Sequence, residues 1–133
     1  MKRLITILVV VLLSIPALAW SGEHAVQTAD DAAKWKAFSK NLVKAIASEN
    51  EGLQRSAMRL IIAHADYVDV NQAIFDLVRM YRYHKNEKVR QLAAVTIQKL
   101  QHKWANGFLV RNLKFEDNEN IKNQILANLA SQK

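Results

Sequence analysis

Four histidines, a handful of serines and two closely spaced aspartates are the side chains with which this sequence could do chemistry. His24, His64, His84 and His102 stand 40, 20 and 18 residues apart. A metal site built from one helix wants two ligands four apart, and a structural zinc site wants a close cluster. Neither spacing occurs, and the sequence has no cysteine to supply a thiolate. His84 and His102 fall near predicted helix ends, where a cation suits the helix dipole. Ser39, Ser48, Ser56 and Ser131 sit within helical patterns, without the sharp glycine-flanked turn that exposes a nucleophile. Asp66 and Asp69 flank Tyr67-Val68 between predicted helices, where short acids serve as caps and turn formers. The expectation is a protein that is not an enzyme, with no cofactor and no metal.

Charge leaves more room for function. The sequence of 133 residues carries 19 basic and 12 acidic side chains, a formal net charge of +7. Arg55 and Arg59 lie one helical turn apart, and Arg79, Arg82, Lys85 and Lys88 form a second basic stretch. Arginine suits bidentate contact with carboxylate or phosphate. The bland reading of both stretches is a solvated helix face.

The first residues have the layout of an export signal. Met1-Lys2-Arg3 is positive, and Leu4 to Ile15 is apolar apart from Thr6 and Ser14. Pro16 then breaks the run, and Ala17-Leu18-Ala19 places small residues where a signal peptidase reads. Cleavage is expected after Ala19, giving a periplasmic or secreted protein. An uncleaved anchor is the alternative, but the run is shorter than the roughly 20 apolar residues a span needs. The remaining chain has 17 basic against 12 acidic residues, a net +5. That excess favours acidic partners, and an exported location argues against nucleic acid as one. With no cysteine, stability must come from packing. Residues 20–28 show no period and are expected to form a flexible arm.

From Ala29 onward the pattern is helical. Proline does not recur after Pro16, and no stretch alternates apolar and polar residues as a strand would. The spacing predicts six helices in three pairs, over about 30–48 and 51–64, 69–84 and 87–103, 104–115 and 118–131. Asp30 or Asp31 can cap the first, and Asp69 the third. The predicted core stripes are Trp35, Phe38, Leu42 and Ile46; Leu53, Ala57, Leu60, Ile61 and His64; Ala73, Ile74, Leu77, Val78 and Tyr81; Val89, Ala93, Thr96, Ile97 and Leu100; and Ile121, Ile125 and Leu129. Phe75, Trp104, Phe108 and Phe115 are expected in the core too, whereas Tyr67 and Tyr83 fall at helix ends and can be exposed.

One phrase recurs along these helices. Leu77-Val78-Arg79 leads to Asn86-Glu87-Lys88-Val89-Arg90, and thirty-two residues on Leu109-Val110-Arg111 leads to Asn118-Glu119-Asn120-Ile121-Lys122. An earlier copy runs from Leu42-Val43-Lys44 to Asn50-Glu51-Gly52-Leu53. Self-similarity at this period is the mark of stacked helical repeats. Asn50, Asn86 and Asn118 would sit in the tight turn of each pair, capping the second helix and tolerating unusual backbone angles there. The Glu that follows each would meet the positive helix end.

The stretch from Asn86 to Leu100 resembles a HEAT repeat, through Asn86 in the turn, Val89-Arg90 opening the second helix, then Ala93-Ala94, Ile97 and Leu100. The copy at Asn50 has Gln54 in the Arg position, and the copy at Asn118 has Lys122 there and Ile125 in the Ala position. The resemblance spans about 29–133, with repeats at about 29–66, 69–103 and 104–133. It implies an all-α fold, a short right-handed α-solenoid of three stacked antiparallel helix pairs. It also implies that Arg90 is structural, joining a ladder between repeats, and that the second helices line the concave face. The outward positions on those helices are then Arg55, Arg59, Gln91, Val95, Gln98 and Asn123, the candidate partner-binding residues.

The expected function is that of an exported adaptor or scaffold of the bacterial cell envelope that binds another protein. The mature form should have no membrane span, and it can form a homo-oligomer end to end through an apolar outer face on the first helix. The alternative is a periplasmic helical holdase or a handler of lipid or other hydrophobic ligands, which would need an exposed apolar groove.

Overall fold

The computed structural model describes residues 29–132, and every regular element among them is helical. The expected signal segment, its cleavage site and the arm at 20–28 lie outside the described residues. Six α-helices follow one another: α1 (Ala29–Ala47), α2 (Glu51–Ala63), α3 (Ile74–Tyr83), α4 (Glu87–Leu100), α5 (Lys103–Asn112) and α6 (Glu119–Ser131). Short 3-10 turns over Asn71–Ala73 and Leu113–Phe115 lead into α3 and out of α5. No helix among the described residues is long and apolar enough to cross a membrane.

The three repeated asparagines start α2, α4 and α6 in the same way. Asn50 Oδ1 accepts from the Leu53 N–H (2.9 Å), Asn86 Oδ1 from the Lys88 N–H (3.0 Å) and Asn118 Oδ1 from the Ile121 N–H (3.0 Å). Each satisfies one of the free N–H groups at a helix start. Their backbone angles nearly coincide, with φ between −87° and −89° and ψ between 106° and 115°. This is ordinary extended backbone, so the tolerance of asparagine for unusual angles is not used. Glu51, Glu87 and Glu119 each occupy the first turn of the helix that follows.

Other ends depart from expectation. Asp30 and Asp31 do not cap α1 but lie within its first turn, where Lys34 reaches them at 2.6 and 3.9 Å. Asp69 does not start α3 directly. Its carboxylate accepts from the N–H of Asn71 (3.2 Å), the first residue of the preceding 3-10 turn, whose N-cap position is Val70. α4 stops at Leu100, three residues early, because Gln101 adopts the left-handed region at φ 52°. It is the only non-glycine residue with positive φ among those described. His102 then begins α5, its Nδ1 accepting from the Ala105 N–H (3.3 Å). His84 Nδ1 likewise accepts from the Asn86 N–H (3.0 Å). Both imidazoles thus accept a backbone N–H at the start of a helix, rather than facing the carbonyl end of one.

Packing centres on α4, which touches α2, α3, α5 and α6. α1 packs on α2 and α3 on α4, whereas α6 rests on α4 and makes little contact with α5. The core joins Leu42 and Ile46 of α1, Met58 and Ile61 of α2, Leu77 and Tyr81 of α3, Val89, Ala93 and Ile97 of α4, Leu109 of α5, and Ile121 and Ile125 of α6. Burying side chains of this size contributes roughly 1.5–3 kcal/mol each. Not all of each predicted stripe goes inward. Leu53, Leu60, Phe75, Trp104 and Phe115 are exposed, and Trp35 and Phe38 are half-buried. Aromatic partners take up part of that surface. Phe75 lies 5.0 Å from Trp104, and Trp35 stacks on Tyr67 at 5.0 Å with planes 16° apart.

Candidate functional site

α2, α4 and α6 line one groove. Arg55 and Arg59 from α2, Lys88, Gln91, Leu92 and Val95 from α4 and Gln124 from α6 enclose about 380 Å³. The spacing within α2 and α4 explains why they meet. Residues three or four apart share a helix face, which aligns Arg55 with Arg59 and Lys88 with Gln91 and Val95.

Charge in the groove is one-sided. Arg55 Nη1 stands 3.9 Å from Glu51 Oε1, at the edge of ion-pair range. That same carboxylate oxygen already accepts from Asn86 Nδ2 at 2.8 Å. The charged ends of Arg59 and Lys88 have no ion-pair partner among the described residues. The Gln124 side-chain oxygen is buried without a hydrogen bond. A buried amide atom left unpaired carries a cost of about 1–3 kcal/mol. The groove itself presents cations, the Gln91 side chain and the apolar flanks of Leu92 and Val95.

Of the expected binding residues, Arg55, Arg59, Gln91 and Val95 come together here. Asn123 is exposed on α6 but does not line the groove. Gln98 does not face outward at all. It is buried, its Nε2 donates to the Ile125 carbonyl (3.0 Å), and its Oε1 accepts from Asn128 Nδ2 (2.9 Å). It fastens α4 to α6 and is removed from the candidate surface. Leu92 and Gln124 were missed, and Lys88 was assigned instead to the basic stretch around the middle turn. The repeat register held the signal for one of them, since Gln124 follows Leu92 by thirty-two residues and both line the groove.

A second concavity of about 380 Å³ lies at the turn ends, lined by Arg82, Tyr83, His84, Arg90, Phe115, Glu116 and Asp117. Its chemistry is already committed internally. Arg90 Nη2 donates to both oxygens of the buried Glu116 carboxylate at 2.7 Å, and Arg90 Nε donates to the Tyr81 carbonyl (2.9 Å). Glu116 Oε1 also accepts from the Asn118 N–H (3.1 Å). The Tyr81 hydroxyl is buried and completes no hydrogen bond. Burial first, and then the neighbouring Glu116 carboxylate, push its pKa up to about 12. A carboxylate so fully engaged is a poor general base, and a phenol held neutral is a poor nucleophile.

Gln54, in the Arg90 position of the first pair, does related work. Its Nε2 donates to the carbonyls of Ile46 (3.3 Å) and Ser48 (2.5 Å) at the end of α1. Lys122, in the same position of the third pair, instead reaches Glu119 on its own helix at 3.4 Å.

A third, larger groove of about 930 Å³ runs along α1, where Ala33, Trp35, Ala37, Lys40 and Val43 face Tyr67 and Gln72. No group of three or more His, Cys, Asp or Glu side chains among the described residues is placed to hold a metal ion. The chain matches no protein-family profile, no curated protein and no solved structure.

Proposed function

We propose that this chain is an exported adaptor that binds another envelope protein through the groove of α2, α4 and α6. In this reading the six helices form a short, right-handed, HEAT-like α-solenoid of three stacked pairs, with the second helices on the binding side. Export is read from Met1-Lys2-Arg3, the apolar run from Leu4 to Ile15 and the small residues Ala17 and Ala19. The segment bound is acidic. It sets carboxylates against Arg55, Arg59 and Lys88. The observation that carries this reading is three cations lining one groove, two of them without an ion-pair partner among the described residues. An acidic peptide meets that need, because its side chains bring the opposite charge.

The test is capture from an envelope extract by the purified protein and by a variant carrying Arg55→Ala and Arg59→Ala. Both side chains reach solvent, so the melting temperature should hold within a few degrees. A protein captured by the parent and released by salt should be lost, or at least tenfold weaker, with the variant. Equal capture by both would remove this groove from consideration.

A second reading rests on the groove along α1, whose walls are mainly apolar. It makes the protein a holdase or a handler of hydrophobic ligands. Fluorescence enhancement of a hydrophobic dye by the folded protein, reduced by Ala37→Asp, would favour it over the adaptor.

A further inference from the structure

The two ends of the helix stack carry complementary halves of the same internal interface, and we infer that a second copy of this chain docks there head to tail. The inference rests on the stacked-pair reading proposed above. On α2, Leu53 and Leu60 are 48% and 41% exposed. Thirty-six residues on, the same register positions of α4 are Val89 and Thr96, both fully buried. A further thirty-two residues on are Ile121, fully buried, and Asn128. Asn128 shows which way this face points, since it donates to Gln98 on the preceding second helix, α4. Leu53 and Leu60 therefore occupy the side that in later pairs lies against the helix before. Among the described residues no helix beyond α1 and α4 packs on α2, and both leucines stay nearly half exposed.

The opposite side is left open at the other end. Gln98 marks the face of α4 that meets α6. Ala94 lies one turn earlier on that face and is 1% exposed. Its counterpart on α2 is the buried Met58, and its counterpart on α6 is Leu126, which is 46% exposed. One end thus offers Leu53 and Leu60, the other Leu126. Each is the surface that the internal joint buries.

The surface that continues an internal joint is most simply met by the other half of that joint, and every copy of the chain brings one. Such a contact is heterologous. The patch on one copy differs from the patch it meets, so association need not stop at two copies.

Sedimentation of the chain, expressed in full and purified as the host leaves it, tests this across a concentration series. The parent should rise from the mass of one chain to twice that mass and beyond. Leu126→Asp and Leu60→Asp should each stay monomeric with unchanged helicity and melting temperature; Leu53→Asp serves if Leu60→Asp fails to fold. Mixed in equal amounts, Leu126→Asp and Leu60→Asp should stop at a dimer, because each spoiled end leaves one intact end free to pair. A parent that stays monomeric overturns the inference, as does a mixture that stays monomeric. Energetic coupling between Gln98 and Asn128, measured in the monomeric variant, separates the two possible failures. Coupling without assembly overturns self-association alone, whereas loss of coupling overturns the stacking on which it rests.

Discussion

Arg90 and Glu116, 26 residues apart in sequence, lock the middle of the chain to the turn that starts α6. One guanidinium nitrogen holds both carboxylate oxygens at 2.7 Å, while Nε ties the same side chain to the end of α3. The Glu116 side chain is 1% exposed and that of Arg90 22%. Ions so far from water are costly to leave alone, and removing one partner of a buried pair costs about 3–5 kcal/mol. Glu116→Ala is expected to destabilise by that amount in urea unfolding. Arg90→Met with Glu116→Leu should recover much of the loss, since no charge is then stranded.

Stability at high pH should follow Tyr81. Its pKa is raised from 10.0 to about 12, by burial and then by the Glu116 carboxylate. The folded state therefore holds the proton more tightly than the unfolded one. The contribution is fully present below pH 10 and is lost as pH climbs through 12. The whole effect is worth roughly 2–3 kcal/mol. Denaturation midpoints measured from pH 9 to 12 should fall across that window and fall less in Tyr81→Phe.

Gln98 and Asn128 are expected to act as one unit. Gln98→Ala would leave the Ile125 carbonyl and the Asn128 amide without their partner, at about 1–3 kcal/mol. A double-mutant cycle with Asn128→Ala should return a coupling energy of about 0.5–3 kcal/mol. Strict additivity would mean that the contact contributes nothing to the α4–α6 joint.

Gln101 offers the opposite sign. Its φ of 52° is costly for a residue with a Cβ and open to glycine. Gln101→Gly should raise stability by about 0.5–1 kcal/mol, because glycine is the usual residue just past a helix end. A thermal melt shifted upward by a few degrees is the expected reading.

The all-helical character, the six elements and the three asparagine turns were legible because each rests on local signals. A cap acts within three residues, and a helix face recurs every turn, so Asn50, Asn86 and Asn118 announce themselves. Gln98 was misplaced because an amide on a helix suits water or a buried partner equally well, and its partners lie 27 and 30 residues away. Glu116 went unseen for the same reason. The HEAT resemblance implied a ladder role for Arg90 but named no acceptor. Phe75, Trp104 and Phe115 lie on apolar stripes, yet a stripe can be wider than the neighbour that covers it. Leu53 and Leu60 were read as core from periodicity alone, which cannot say whether a neighbouring pair exists on that side. The His102 cap was hidden because histidine accepts a helix-start hydrogen bond only as one tautomer.

α4 touches four other helices, whereas α1 and α6 each lean on few. Amide protons report that difference as time. Those of α1 and α6 can exchange with solvent through fraying that costs little of the total free energy. Those of α4 must wait for the whole domain to open, since no smaller opening frees a helix wedged among so many neighbours. The slowest clock in the molecule therefore runs in the stretch from Val89 to Ile97, beside the groove that α4 helps to line.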